Sequence, residues 1–132
     1  MLLLWQAESI IWEALLIQQI LDDLIASLPG SRAAVFLDNE GETISLSGIY
    51  SGDVKLLGAW KEIHLDHIRD IAERLGLGAV NAVLFSLDEG IELIVPVARD
   101  YCLLLIVSNF ANIQDALAGL RVTVERLRKD IE

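Results

Sequence analysis

His64 and His67 stand three residues apart in a stretch of helical spacing, with Asp66 and Asp70 beside them. Two imidazoles at i and i+3 share a helix face and can hold a metal such as zinc. Here the carboxylates fall on the opposite, polar side of the helix, and no third ligand stands near. The pattern reads better as His64 satisfied within a packed face and His67 at its rim or in a contact between copies. The single Cys102 lies in the apolar run YCLLLIVS. A nucleophilic thiol needs a base and an electropositive setting, and neither is offered, so Cys102 reads as a small buried hydrophobe. Nothing matches G-x-x-x-x-G-K-[ST], and Gly76-Leu77-Gly78 is only a helix stop. Arg32 and Arg99 sit in turns, where either can meet a partner's carboxylates or phosphates, but nothing singles one out. No catalytic group, metal site or cofactor site is therefore expected, and function is to be sought in surfaces.

The elements that carry these residues are legible in outline. Residues 10–28 place Ile10, Ala14, Ile17, Leu21, Leu24 and Leu28 at steps of three and four, a helix. Its polar side is thin, so it is expected to be covered on more than one side. Pro29-Gly30 ends it. Ala33 to Leu37 is wholly apolar and reads as a strand buried on both faces. After the turn Asp38-Asn39-Glu40-Gly41, the run Thr43 to Ser47 alternates, a strand with one face to water.

Asp53 caps a second helix over residues 54–75. A helical wheel gathers Leu57, Trp60, His64, Ile68, Ile71 and Leu75 on its packed face, with Ile63 and His67 widening the arc. The opposite, water-facing row holds Lys55, Glu62, Asp66, Arg69, Asp70 and Glu73. Trp60 reads equally as core or as a binding anchor. Residues 79–85, 91–97 and 101–107 make a three-strand meander with turns at Asp88-Glu89-Gly90 and Arg99-Asp100. Residues 111–131 form the last helix.

The chain has 132 residues, one domain's worth, of which 54% are apolar, and its mean hydropathy is +0.49. That is more apolar surface than a small domain hides. No run approaches the ~20 residues of a membrane-crossing helix. The surplus is expected to go to a second copy or a partner. The net charge of −10 repels phosphate backbones and argues against nucleic acid. One cysteine fits a reducing cytoplasm. Residues 1–16 form an apolar arm, of which residues 1–9 either extend the first helix or stand apart. Trp5 and Trp12 lie in it, but the absence of Lys or Arg from the first 31 residues argues against insertion at a membrane surface.

The order helix-strand-strand-helix-strand-strand-strand-helix, the first helix stopped by Pro-Gly, the apolar strand ending in Asp38-x-x-Gly41, and EGIELIVPVARDYCLLLIVS together resemble the roadblock/dynein light chain family, over roughly residues 17–131. The resemblance implies an α+β sandwich. A five-stranded antiparallel sheet would have the first and last helices on one face and the middle helix on the other. It implies a dimer joined through the middle helix and third strand, and binding and regulation of a small Ras-like GTPase. A scaffold or light-chain role without effect on GTP turnover is the second expectation, and a PAS- or GAF-type small-molecule sensor the third. Residues 1–16 are an extension that the family pattern does not require. The residues expected at the dimer interface are Trp60, Ile63, His67, Val80, Ala82 and Leu84. Those expected to meet the GTPase are Lys55, Glu62, Asp66, Arg69 and Glu73. An uncharged apolar edge strand invites pairing with another chain, which points to the same dimer.

Overall fold

Ser31 closes the first helix, its hydroxyl donating to the carbonyls of Ile25 at 2.9 Å and Leu28 at 2.7 Å. The computed structural model describes residues 2–131. They form α1 (Leu2–Ser27), β1 (Ser31–Asp38), β2 (Thr43–Gly48), α2 (Val54–Arg74), β3 (Val83–Leu87), β4 (Gly90–Ala98), β5 (Tyr101–Val107) and α3 (Ile113–Ile131). The strands make one sheet in the order β2-β1-β5-β4-β3, and every pairing is antiparallel. The chain leaves the sheet at one edge, β2, crosses it in α2, and re-enters at the other edge, β3.

β1 and β5 lie inside the sheet and are covered on both faces, as their unbroken apolar runs require. Ala34, Phe36, Leu103, Leu105 and Val107 meet Ile17, Ile20, Leu21 and Leu24 of α1 and Ala116, Leu120 and Leu127 of α3. Ala33, Val35, Leu37, Leu104 and Ile106 face the other way, toward Leu65 of α2. The fold is thus the expected α+β sandwich, two helices on one face and one on the other.

Of the two alternatives for the arm, extension of the first helix holds: the two are one continuous helix from Leu2. Two details depart from the sequence reading. β2 does not show its serines to water: Ser45 donates to Gln18 Oε1 at 2.9 Å and Ser47 to Asp22 Oδ1 at 2.5 Å, while Gln18 Nε2 donates to the Leu46 carbonyl at 2.9 Å. The thin polar side of α1 is therefore a lid over an edge strand. Finally, β3 begins at Val83 rather than Ala79. Val83 pairs with Ile94, so extending the ladder would bring it to Pro96, which has no N–H to donate. The nearby Val97 carbonyl instead accepts from Arg128 Nε.

Gly48 ends β2 at φ +91°, and a Cβ there would stand 2.1 Å from the Arg32 carbonyl oxygen. Gly48→Ala adds both a left-handed strain and a collision with backbone. Urea unfolding is expected to show a loss of ~2–4 kcal/mol.

Candidate interaction surface

α2 is set by its start. Asp53 Oδ1 accepts the Leu56 N–H at 3.1 Å, satisfying one of the free donors of the first turn. From there the helix lays Gly58, Lys61, Glu62, Leu65 and Ala72 against the sheet. Gly58 permits this approach, because a Cβ there would lie 2.9 Å from Leu37 Cδ2. Lys61 is the unexpected member. Its ammonium lies 2.9 Å from Glu92 Oε1 of β4 and 3.7 Å from the centre of the Phe85 ring of β3. Both charged side chains are buried. Removing either partner strands the other charge in the interior.

Glu62 is also buried, at 7% exposure. Loss of water pushes its carboxyl up to about 7, and the hydrogen bond and charge of Asp66 add to that rise; Arg69 opposes it. Glu62 was expected on the water-facing row, and this is a correction. A helical wheel sends every charge outward, but Lys61 and Glu62 lie between the small residues Gly58 and Ala72, which bring the helix close to the sheet. The rest of that row holds. Lys55, Asp66 and Glu73 are exposed, and Arg69 is half-buried, 3.9 Å from Asp66.

The rotation also turns the apolar arc outward. Leu56, Trp60, Ile63, His67, Ile71 and Leu75 follow one another along the solvent side of α2. Trp60 is 54% exposed, Ile63 40% and Ile71 54%. Of the face expected to be packed, Leu57, His64 and Ile68 are half-buried, while Trp60, Ile71 and Leu75 are not covered. His64 sits between Trp60 and Phe85, with ring centres 6.4 and 5.8 Å away, and its Nδ1 is buried without a hydrogen-bond partner. Beside this row, β3 is an edge strand whose outer side no strand covers; its exposed Leu87 shares the α2 side with Phe85, whereas Leu84, expected with Trp60 at one contact, pairs with Leu93 and faces the α1/α3 side of the sheet, because successive strand residues alternate faces. Val80 and Ala82 do not lie on that strand but in the segment before it; Val80 packs under α2 and Ala82 is open.

Among the described residues no three His, Cys, Asp or Glu side chains gather as a metal set. Cys102 is buried, and desolvation, then the charge of Glu62, push its thiol up to about 12, which leaves no thiolate at neutral pH. No described helix is long and apolar enough to cross a membrane. A groove of about 980 Å³ lies on the surface between the α2–β3 connection and the β4–β5 turn, and includes Arg69, Arg99 and Arg128. What α2 and β3 present is a contiguous apolar strip with a bare strand edge, suited to another protein surface. The sequence signal for it was the excess of apolar positions on α2.

No protein-family model matches the chain, and no curated protein matches it in sequence. Solved structures do match. The Roadblock/LC7 domain from Streptomyces avermitilis superposes with a TM-score of 0.80 at 19% identity, over 86% of this chain and 96% of that one. Gliding protein MglB from Thermus thermophilus gives 0.79 at 12% identity, over 89% and 90%. An MglB with a tetrameric arrangement gives 0.79 at 13% identity, over 86% of each chain. The fold is that of the roadblock/LC7 domains.

Two measurements probe the buried charges. Lys61→Met leaves Glu92 unpaired and is expected to cost ~3–5 kcal/mol, whereas Lys61→Met with Glu92→Leu returns to within ~1 kcal/mol of the parent or above it. Glu62 holds its proton more tightly folded than unfolded. Its contribution is therefore fully present below the unfolded value of 4.5, fades as pH rises toward 7, and is gone above it. Glu62→Gln is expected to stabilise the protein at pH 8 by ~1–3 kcal/mol more than it does at pH 5, measured by denaturant titration at both.

Proposed function

We propose that this chain is a non-enzymatic, homodimeric regulator or adaptor that binds a small Ras-like GTPase and modulates its nucleotide cycle. In this reading residues 1–132 are one roadblock-like domain, with 17–131 its core and 1–16 an extension, working in the cytoplasm. The observation that carries it is the exposed apolar row of α2 beside the bare edge of β3. Trp60, Ile63 and His67 are laid out where a second copy would cover helix and edge together, since a two-fold contact places the same patch on both sides; Leu84, whose side chain lies on the other face of the sheet, would border that contact from beyond the edge. Val80 and Ala82, just before β3, border that contact. The GTPase would meet the two α2 helices at Lys55, Asp66, Arg69 and Glu73; Glu62 supports them from below. The resemblance to roadblock proteins and the likeness to MglB structures support this choice of partner.

Any effect on hydrolysis would come from ordering the GTPase's own switch segments. The second reading, a scaffold with no effect on turnover, rests on the same surface. It differs in one respect: only unequal affinity for the two nucleotide states couples binding to the switch.

The test is a titration of a purified small Ras-like GTPase, loaded with GDP or with a non-hydrolysable GTP analogue. A regulator is expected to prefer one state by ~10-fold or more. Equal affinity selects the scaffold reading, absence of binding removes both, and GTP turnover by the isolated protein overturns the assignment.

A further inference from the structure

Glu62 is buried without a counter-charge. It is 7% exposed, yet no ion pair among the described residues includes it. Asp66 stands one helical turn on, within hydrogen-bond reach once either carboxyl carries a proton. The two border a small cavity. Asp38 closes it from the end of β1, Arg99 and Asp100 from the β4–β5 turn, and Arg69 from α2. Cys102 of β5 lines the same space as a neutral thiol, while Tyr101 beside it stacks on Phe36, 5.3 Å away, in the core on the other side of the sheet. Asp38 is occupied by the N–H groups of Glu40 and Glu42, and Asp100 by the side-chain amide of Asn39. With every carboxyl ionised, four anions would share this space with two cations; a proton on Glu62 leaves three.

The two cations are not committed to the cavity. Arg69 and Arg99 also line the groove of about 980 Å³ on their other side. Arg69 is the one in line with the carboxyl pair, since Glu62, Asp66 and Arg69 follow at i, i+4 and i+7 along one stripe of α2. Its Nη1 is 3.9 Å from Asp66 Oδ1, the outer limit of an ion pair, and its side chain is 33% exposed. It stands between the cavity and the groove.

We propose that one proton shared by Glu62 and Asp66 decides which of the two spaces Arg69 serves. With the proton on, the pair carries a single charge, and Arg69 stays in the outer row, open to an acidic group of a partner. With the proton off, two adjacent carboxylates draw Arg69 inward, because attraction between charges is strongest where water is excluded. The change falls near neutrality: burial, then the hydrogen bond and charge of Asp66, push the Glu62 carboxyl up to about 7. A partner that takes Arg69 away from the cavity makes Glu62 hold its proton more tightly. Binding therefore takes up a proton, and affinity falls as pH rises. That consequence rests on the partner proposed above; the device itself belongs to the free chain.

Nuclear magnetic resonance on the full chain, labelled at glutamate carboxyl carbons and arginine Nε, tests the device without a partner. The Glu62 carboxyl is expected to titrate near neutrality, and the Arg69 Nε signal to shift with the same midpoint. Glu62→Gln abolishes that shift. Asp66→Asn brings the Glu62 midpoint down toward the ordinary carboxylate range, and Arg69→Gln raises it. A purified small Ras-like GTPase is also titrated at pH 6 and pH 8. The wild type is expected to bind ~5-fold or more tightly at pH 6. Glu62→Gln, fixed in the neutral form, loses that difference and keeps the tighter affinity, whereas Arg69→Gln loses it and keeps the weaker one.

A Glu62 carboxyl that titrates in the ordinary carboxylate range overturns the proposal. So does one that titrates near neutrality while the Arg69 signal stays fixed, and so does an Arg69 shift that survives Glu62→Gln. Equal pH dependence of GTPase binding in the wild type and Glu62→Gln overturns it as well. If the linked shift is present and the GTPase binds at neither pH, the functional reading fails and the proton device stands.

Discussion

The buried pair Lys61–Glu92 decides which way the middle helix faces. An ammonium and a carboxylate 2.9 Å apart beneath α2 cannot be turned into water without breaking their bond and uncovering Phe85. Coulomb attraction grows as the surrounding dielectric falls, but so does the penalty for separating the partners. The helix is therefore held with its charged and small residues down and its apolar row up. The argument for the α2 surface depends on that rotation. Turned by half, the same sequence would bury Trp60, Ile63 and Ile71 and offer only salt bridges to a partner.

This is also where the sequence was least readable. The sheet was legible because its signals are local: unbroken apolar runs for β1 and β5, Asp-x-x-Gly and Asp-Glu-Gly turns, Pro-Gly at the end of α1, Asp53 at the start of α2. Each follows from backbone chemistry within a few residues. The facing of α2 depends instead on Glu92, far along the chain from Lys61, and on Leu37 nestling against Gly58. A hydrophobic wheel has no access to either. The start of β3 was misplaced for a similar reason, because the limit comes from Pro96 on the facing strand rather than from the residues of β3. The strand β2 was read as having one face to water, for want of knowing that α1 brings Gln18 and Asp22 over its serines.

The same sandwich separates two kinds of surface. On the α2 side the exposed apolar groups are flanked by balanced charges, Lys55, Arg69 and Arg74 against Asp66, Asp70 and Glu73. On the opposite side α1 carries anions alone, while α3 mixes four cations with three anions, and Arg126 of α3 is already tied to Asp23 of α1.

The two ends of the sheet are unequal, and this bounds growth. At β2 the helix lid, through Gln18 on the Leu46 carbonyl and the serine bonds to Gln18 and Asp22, occupies the margin with its own polar groups. At β3 the margin is bare and five residues long. A ribbon with one sealed and one open selvedge can be sewn to a single neighbour and then has no free hem. Joined open side to open side, two sheets make a finite object sealed at both ends, which cannot template a fibre through either outer strand.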